Sequence, residues 1–435
     1  MKYTPIDSKL FIENRKRFSS SLKPNSLAIF NSNDEMPRCG DANYPYRQNS
    51  DMFYLSGIDQ EQSILVLFPE CPNPAYKEVL FLRKTNEHIA VWEGHKYTVA
   101  EAKAASGITS IFWLEEFNAI FPMLMNWSST VYLNLNENDR FRSDVPYREL
   151  RFANDLKAKY PSHNYDRSAP ILAKLRSIKS NEEIELMKTA MDITDKAFRR
   201  VLGFVKPGVT EFEIEAEITH EFIRNRATGH AYTPIIASGA NANVLHYIDN
   251  NQECKDGELI LMDFGAEYAN YAADLSRTIP VNGKFTPRQR DVYEAVLRVM
   301  KAATKMLVVG NTIEKYHAEV GKIMEKELIG LGLLKAEDVA KQDSFKPLYK
   351  KYFMHGTSHF LGLDVHDIGN RHDLMKAGMV FTCEPGIYIP EEKLGIRLEN
   401  DILITENGPI DLMANIPLEA DEIEELMSKR LVGSL

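Results

Sequence analysis

The sequence predicts an α+β protein of two domains, and three features carry that prediction. The chain has 435 residues, which is more than one hydrophobic core usually organises. Its first third alternates short β-like runs with helical stretches, a pattern typical of an α/β layer structure. The remainder repeats one order of elements twice, namely helix, Gly-x-Thr, helix and then strands, which indicates an internal duplication.

The first domain contains apolar runs that predict strands and longer stretches that predict helices. The strands are expected at 63–68, 79–82 and 130–135, and the helices near 8–21 and 99–106. The segment 41–57 is rich in Tyr, Arg, Asn and Asp and lacks a clear period, so we expect a loop that enters a strand. Such loops occur at interfaces and ligand rims, and a surface loop that covers the core explains the composition equally well.

The junction between the domains is expected in the turn-forming stretch 160–177, which contains two prolines, three serines and one asparagine. We place the N-terminal α/β domain at residues 1–165 and the second domain at residues 170–435. Ser180, followed three residues later by Glu183, then forms the capping-box pattern of a new helix.

The second domain shows apolar stripes at helical spacing in both copies of its repeat. The first copy carries Ile184, Met187, Met191, Phe198, Val201, Ile214, Ile218 and Phe222, and the second carries Val292, Val296, Val299, Ala303, Tyr316, Val320 and Ile323. Each copy ends in strands that bear two acids: Asp263 and Asp274 in the first, Glu384 and Glu399 in the second. This arrangement predicts a pseudo-symmetric site between the two halves.

The first pair of acids lies on either side of an expected hairpin. Asp263 ends the run 258–265, and Asp274 follows a turn near Tyr268 and Ala269. A hairpin centred between the two acids would place them directly opposite each other. Two like charges so placed are destabilising unless a cation lies between them.

The stretch 354–401 concentrates polar groups among apolar residues and glycines. It contains His355, His359, His366, Glu384 and Glu399. Such groups are costly to bury unless something pairs with them, and a metal ion does so well. The segment before Asp401 is expected to be a strand, so Arg397, Glu399 and Asp401 would share one face.

The acids and one imidazole suggest a dinuclear metal site. Four ionised carboxylates balance two divalent cations, and one neutral histidine would complete the site. Oxygen-rich ligands with one imidazole favour manganese, cobalt or iron over zinc. Two such ions about 3.5–4 Å apart would hold a bridging hydroxide ready to attack a carbonyl. The spacing of the histidines does not choose between His355, His359 and His366.

Composition excludes several other classes of function. The formal net charge of −10 argues against a nucleic-acid partner, and the absence of a long apolar window argues against a membrane span. The N-terminus lacks the apolar stretch of a secretory signal. Four scattered cysteines indicate reduced thiols in a cytoplasmic protein. Strand alternation turns Cys383 away from Glu384, so a reactive thiol is not expected there.

Taken together, the motifs resemble a known family. They are His355-Gly-x-x-His359-x-x-Gly-Leu-Asp-Val-His366-Asp, Glu384-Pro-Gly, Arg397-x-Glu399-x-Asp401 and the pair Asp263 and Asp274. This set is similar to that of the proline-specific aminopeptidases P, which belong with prolidase and methionine aminopeptidase to the pita-bread metallopeptidases. The loop at 44–51 also resembles their N-terminal domain. The chain departs from the family in its short connection 387–396 and in Cys383, where valine is common.

The resemblance implies a pita-bread catalytic domain with an internal pseudo-twofold repeat and a role for each motif residue. The implied ligands of two divalent ions are Asp263, Asp274, His359, Glu384 and Glu399. Glu384 would also shuttle the proton of the attacking water. The implied substrate-side histidines are His246, His355 and His366. Tyr232 and Arg397 would steady Asp263.

The expected activity is release of an N-terminal residue from peptides with proline in second position. The alternative within the family is prolidase, which shares the ligands and cuts only dipeptides. A metal-free creatinase-like hydrolase and a non-catalytic binding protein fit less well, because all five ligands are present. Manganese is the expected metal, with cobalt, iron or zinc as alternatives. The N-terminal domain is expected to support a homodimer or homotetramer and to line the pocket.

Overall fold

The chain forms two compact units in a computed structural model that describes residues 3–429. The first unit runs from Tyr3 to Arg176 and the second begins at Ser177. This division falls inside the stretch 160–177, which itself contains a strand and a helix. Within residues 3–429, no helix is both long and apolar enough to cross a membrane.

The first unit is built on a six-stranded mixed sheet in the order β6-β5-β4-β1-β7-β8. The strands of this sheet are β1 (Ser26–Asn31), β4 (Ile64–Leu67), β5 (Glu78–Leu82), β6 (Ser110–Trp113), β7 (Thr130–Leu133) and β8 (Asn164–Arg167). The strands β2 (Pro37–Cys39) and β3 (Ala42–Asn43) form a separate pair. Its helices are α1 (Lys9–Ser19), α2 (Ser50–Ser56), α3 (Glu87–Glu93), α4 (Val99–Ser106), α5 (Phe117–Trp127), α6 (Arg148–Lys159) and α7 (Ala169–Arg176). The expected strands at β4, β5 and β7 and the expected helices at α1 and α4 are therefore confirmed.

The segment 41–57 differs from its prediction, because its second half is the helix α2 and not a strand. The side chain of Asn49 accepts hydrogen bonds from the backbone N–H groups of Asp51 and Met52 and so caps the helix. Gly57 ends it in the left-handed conformation at φ 67°. Every residue of α2 except Asp51 is buried, so its sequence has no one-sided apolar stripe from which a helix could be predicted.

The second unit contains two similar sets of helices and strands, together with a small sheet and a hairpin. Its helices are α8 (Asn181–Phe204), α9 (Glu211–Arg224), α10 (Pro287–Thr304), α11 (Ile313–Gly330), α12 (Ala336–Val339) and α13 (Ala420–Lys429). Its strands are β9 (Gly229–His230), β10 (Ile235–Ser238), β11 (Leu259–Asp263), β12 (Ala266–Tyr268), β13 (Tyr271–Ala272), β14 (Ser276–Pro280), β15 (Val380–Cys383), β16 (Gly386–Ile389), β17 (Leu394–Arg397), β18 (Asn400–Thr405) and β19 (Gly408–Asp411). Two three-stranded sheets, β10-β11-β14 and β15-β18-β19, correspond in the two halves. The small sheet has the order β13-β12-β9, and the hairpin is β16-β17.

The expected duplication is confirmed at the level of these elements. Each half presents two helices followed by a three-stranded antiparallel sheet. The capping box of Ser180 and Glu183 begins α8, and that of Thr286 and Gln289 begins α10. The apolar stripes of α8 to α11 are buried as their spacing predicts, except that Ile323 is only half-buried.

The strand register corrects two details of the prediction. Asp263 lies opposite Ser276 and not opposite Asp274, because the turn between β12 and β13 is centred on Ala269 and Asn270. Both turn residues have positive φ, 51° and 65°, as a tight hairpin of this kind requires. The expected single strand through Arg397 and Asp401 is also wrong, since β17 ends at Arg397 and β18 begins at Asn400. Glu399 lies in the break between them.

The turn-back after β11 depends on a close backbone approach at Gly265. A Cβ atom at Gly265 would lie 1.7 Å from the carbonyl oxygen of Ala273, far inside van der Waals contact. Ala273 immediately precedes Asp274, so the absence of a side chain at Gly265 helps to set where that acid lies.

We predict that Gly265→Ala lowers the free energy of unfolding by an amount at the upper end of about 1–3 kcal/mol, because the backbone must move to admit the methyl group. The thermal midpoint should fall accordingly. Gly203→Ala is the matched control: Gly203 lies in α8 and a Cβ there meets nothing within 4 Å. That change should raise stability by about 0.5–1 kcal/mol. Calorimetry in which the two variants melt alike would contradict the role given to Gly265.

Candidate metal centre

The acids of the two halves converge on one place in the second unit. Asp263 ends β11, Asp274 follows β13, Glu384 follows β15 and Glu399 lies between β17 and β18. His359 joins them from the loop before β15. Its Nε2 atom is 3.4 Å from Asp274 Oδ2 and 3.7 Å from Glu384 Oε1. Asp274, His359 and Glu399 each offer one ligand atom, and these atoms all lie within 4.8 Å of one another.

Asp263 and Asp274 are joined through Tyr232, although they are not cross-strand partners. The Tyr232 hydroxyl lies 2.6 Å from Asp263 Oδ1 and 2.6 Å from Asp274 Oδ1. A hydroxyl has one proton, so it donates to one carboxylate at a time. Arg397 holds the other oxygen of Asp263, with its Nη2 2.6 Å from Asp263 Oδ2. Both residues therefore contact Asp263 as the resemblance implies.

Glu399 is almost fully buried, and one of its oxygens has no hydrogen-bond partner. Ser276 donates from Oγ to Glu399 Oε2 at 2.7 Å, but Oε1 is buried and unpaired. A buried carboxylate oxygen without a partner is costly. The oxygen-rich set with an orphaned, buried acceptor is what a divalent cation needs, so the residues fit the metal ions that the sequence implies.

The crowding of like charges is visible in the pKa values of these acids. Burial raises the pKa of Glu384 to about 7, His359 opposes that rise, and the charge of Asp274 adds to it. Burial and the charges of Asp274 and Glu384 raise the pKa of Glu399 well above its usual range. Burial also raises the pKa of Asp274, with a further contribution from Asp263. A cation among these groups would relieve that cost.

His359 is oriented so that one ring nitrogen is free for a ligand. Its Nδ1 lies 2.9 Å from the carbonyl oxygen of Phe360, so Nδ1 carries the proton and Nε2 presents its lone pair to the carboxylates. Burial lowers the pKa of His359, but Asp274 and Glu384 outweigh it and raise the pKa, because a protonated Nε2 can donate to Asp274. A metal ion bound at Nε2 would take the place of that proton.

The loop that carries His355 and His359 is held along its backbone. The Glu384 N–H donates to the carbonyl oxygen of Thr357 at 2.9 Å, and the Thr357 N–H donates to His317 Nε2 at 3.3 Å. The His359 N–H donates to Thr382 Oγ1 at 3.1 Å. The position of His359 is therefore fixed relative to Glu384 by bonds that no spacing in the sequence reveals.

The three further histidines differ in their surroundings. His355 Nε2 is 2.9 Å from the Tyr388 hydroxyl, and its Nδ1 is 3.7 Å from Glu384 Oε2. The ring of His366 meets that of His359 edge to face, with centroids 4.4 Å apart. His246 is exposed, and it lies near enough to His355 to affect the pKa of that imidazole, which burial, Arg397 and other nearby charges lower to about 3.

The site also contains three residues that the sequence prediction did not assign. Tyr388 bonds both His355 and Arg397, and its position two residues beyond Gly386 on the Glu384 face was a signal available in the sequence. Asp401 accepts a hydrogen bond from the Asp274 N–H at 3.1 Å. Ser276 bonds Glu399 and Arg397, but this role depends on the register of β11 and β14 and left no signal.

Cys383 is not a reactive group in this arrangement. Burial raises the pKa of its thiol to about 11, so the thiol stays protonated at neutral pH. Its Sγ packs 3.5 Å from the Tyr316 hydroxyl. All four cysteines of the chain are free thiols.

A cluster of buried and half-buried carboxylates with an imidazole nitrogen facing it and further histidines beside it is typical of a metal-dependent hydrolase. Comparison with protein families agrees. Residues 185–406 match the model of metallopeptidase family M24, and residues 11–132 match the aminopeptidase P N-terminal domain.

Individual relatives extend over nearly the whole chain. A Xaa-Pro aminopeptidase of Haemophilus influenzae is 35% identical, and the match covers 96% of this chain and 97% of the relative. A solved structure of aminopeptidase P from Escherichia coli superposes with a TM-score of 0.89 at 33% identity, covering 98% of this chain and 100% of that one. A zinc-substituted E. coli aminopeptidase P in complex with product gives 0.87 at 33% identity, covering 98% and 99%. The chain belongs to metallopeptidase family M24, and it is a metallo-aminopeptidase with the pita-bread fold.

We predict that replacing His359 and His366 by alanine has different effects on metal content and on kinetics. His359→Ala should lower the bound metal, because Nε2 of His359 faces the carboxylates. His366→Ala should keep the metal content nearly intact while lowering kcat by about 10² if it supplies an oxyanion contact. Elemental analysis of both variants, with kinetics alongside, is the test. Loss of metal from His366→Ala with retention in His359→Ala would show that the ligand assignment is wrong.

Proposed function

We propose that the chain removes the N-terminal residue from peptides whose second residue is proline. The observation that carries this proposal is the cluster of Asp274, His359 and Glu399, whose ligand atoms lie within 4.8 Å of one another, with Asp263 and Glu384 beside it. Relatives that cover nearly the whole chain include Xaa-Pro aminopeptidases of Haemophilus influenzae and Escherichia coli. A proline amide has no N–H and its nitrogen is tertiary, so a dedicated site is needed to cleave it.

In the proposal, Asp263, Asp274, His359, Glu384 and Glu399 hold two divalent metal ions. When bound, the ions would supply Lewis acidity at the substrate carbonyl and lower the pKa of water. Manganese is our first choice because most of the ligand atoms are carboxylate oxygens, and cobalt, iron and zinc remain alternatives.

Glu384 moves the proton in the reaction that we propose. Water adds to the carbonyl carbon before proline, and its proton passes to a carboxylate oxygen of Glu384. The same proton then goes to the proline nitrogen as the C–N bond breaks, which releases a free amino acid and a peptide that begins with proline. Glu384 Oε2 faces His355 Nδ1 at 3.7 Å, so the carboxylate has one oxygen towards His359 and one towards a substrate-side histidine.

The histidines and their partners bind and orient the substrate. We assign His246 and His366 to the oxygen on which negative charge develops, and His355 to the substrate backbone. Tyr388 fixes the ring of His355. The buried ion pair of Lys179 and Asp367, at 3.1 Å, anchors the loop beside His366. Tyr232 and Arg397 hold Asp263 at the orientation that a ligand requires.

We further propose that residues 1–165 form the N-terminal domain of a cytoplasmic homodimer or homotetramer and that residues 170–435 form the catalytic domain. Two apolar residues of α3 support the assembly, since Trp92 is 77% and Val91 79% exposed. The four free thiols suit a reducing compartment. In this proposal, loops of the N-terminal domain of one subunit wall the substrate cleft of another and limit access to short, unfolded peptides.

Substrate length separates this activity from that of a prolidase. We predict a higher kcat/KM for Ala-Pro-Ala than for Ala-Pro, and little cleavage of Ala-Ala-Ala, with manganese present in each assay. A Glu384→Gln preparation is the control for contaminating peptidases, because it should be inactive on all three. A strict preference for the dipeptide would make the chain a prolidase, and equal cleavage of Ala-Ala-Ala would overturn proline specificity.

A further inference from the structure

Glu211 is a buried carboxylate outside the metal centre and has an unusual number of hydrogen bonds. It is the first residue of α9 and its relative exposure is 0%. Oε1 accepts from the N–H and the hydroxyl of Ser238, each at 2.7 Å, and from Asn241 Nδ2 at 3.2 Å. Oε2 accepts from the Tyr247 hydroxyl at 2.8 Å and from the Gln252 N–H at 2.9 Å. All five of these donors are neutral.

The donors show what the carboxylate does. Ser238 ends β10 and Gln252 lies 14 residues further on, yet their N–H groups bond the two oxygens of one side chain. The Glu211 N–H also donates to the carbonyl oxygen of Gln252 at 2.9 Å. Glu211 thus closes the base of the segment 238–252 and bonds two residues within it. Only a group that accepts at every position satisfies these donors together.

That segment carries His246 and packs against the site. Tyr247, the next residue, shares an apolar cluster with Tyr388, whose hydroxyl bonds His355 and Arg397. On the other side of the segment, the backbone of Ala242 approaches β17 so closely that a Cβ at Gly395 would lie 2.3 Å from the Ala242 oxygen. The segment therefore rests on the strand that leads to Arg397, and His246 is placed by it.

We propose that Glu211 is a positioning residue for the aminopeptidase reaction: by closing the 238–252 segment it holds His246 at the substrate side of the metal centre. This inference rests on the proposed function, because it takes its importance from the role of His246. It adds a residue that contacts neither substrate nor metal. Misplacement of a reacting group by about 1 Å is enough to cost up to about 10²-fold in rate.

The test is a double-mutant cycle between Glu211→Gln and His246→Ala. Glutamine keeps the size of the side chain but replaces one of the two carboxylate oxygens by an NH₂ group. That group faces hydrogen-bond donors and cannot accept from them. In the wild-type background we expect kcat/KM for Ala-Pro-Ala to fall about tenfold, and in the His246→Ala background by less than about twofold. Metal content should be unchanged in both.

Glu149→Gln is the matched control. Glu149 is also buried, at 5% exposure, and accepts two bonds from neutral groups of Asn31, each at 2.7 Å, in the first unit. Its replacement should lower the thermal midpoint without changing the kinetics. Hydrogen exchange of peptides covering 238–252 should accelerate in Glu211→Gln and stay as in the wild type in Glu149→Gln.

Tyr247→Phe is the milder second variant if Glu211→Gln does not fold. It removes one bond to Oε2 and keeps the ring, and its smaller kinetic effect should again vanish in the His246→Ala background. Equal fold-losses in both backgrounds, or unchanged exchange of 238–252 in Glu211→Gln, would overturn the inference. A wild-type enzyme that cleaves no Xaa-Pro peptide would instead overturn the proposed function, so the two failures are distinguishable.

Discussion

Four carboxylates of like charge converge at one place in the second unit, Asp274 and Glu399 buried and Asp263 and Glu384 half-buried, and much of the surrounding structure serves to keep them there. Burial and mutual repulsion oppose their ionised forms, as the raised pKa values of Asp274, Glu384 and Glu399 show. One arginine, Arg397, bonds a single oxygen of Asp263 and offsets part of the charge. The arrangement is stable in its working form when divalent cations supply the rest.

The fold fixes the acids through backbone and side-chain bonds that join the two halves of the duplication. Asp401, from the second half, accepts from the N–H of Asp274 in the first. Ser276, from the first half, donates to Glu399 in the second. Each half therefore sets the position of an acid in the other. Neither half places its acids alone, which makes an internal repeat a suitable scaffold for the metal centre that we propose.

The sequence predicted the parts of this account that depend on local pattern. Capping residues and apolar stripes located α8 to α11, and the recurrence of acids after each helix pair pointed to one shared site. The choice of His359 over His355 and His366 came from family resemblance, since spacing alone did not decide it. The orientation of His359 Nε2 supports that choice.

What escaped prediction depends on register and on long-range contacts. Asp263 faces Ser276 because the turn falls at Ala269 and Asn270. The cross-strand partner of Asp263 is therefore two residues beyond Asp274, the partner that the sequence predicted. The helix α2 is buried on all sides and so lacks the stripe that marks a surface helix. In the sequence, Glu211 is an ordinary acid in the first turn of a helix. Its contacts depend on the fold, because residues 27 to 41 positions further along the chain donate hydrogen bonds to its carboxylate.

The central claim is that the buried acids require divalent cations both for stability and for reaction. The most direct measurement is exhaustive chelation followed by elemental analysis, with thermal melting and hydrolysis of a Xaa-Pro-Yaa peptide recorded on the same sample. We predict that the metal-free chain melts at a lower temperature and does not cleave the peptide, and that manganese or cobalt restores both properties. Full activity in a sample shown to contain no metal would contradict the account.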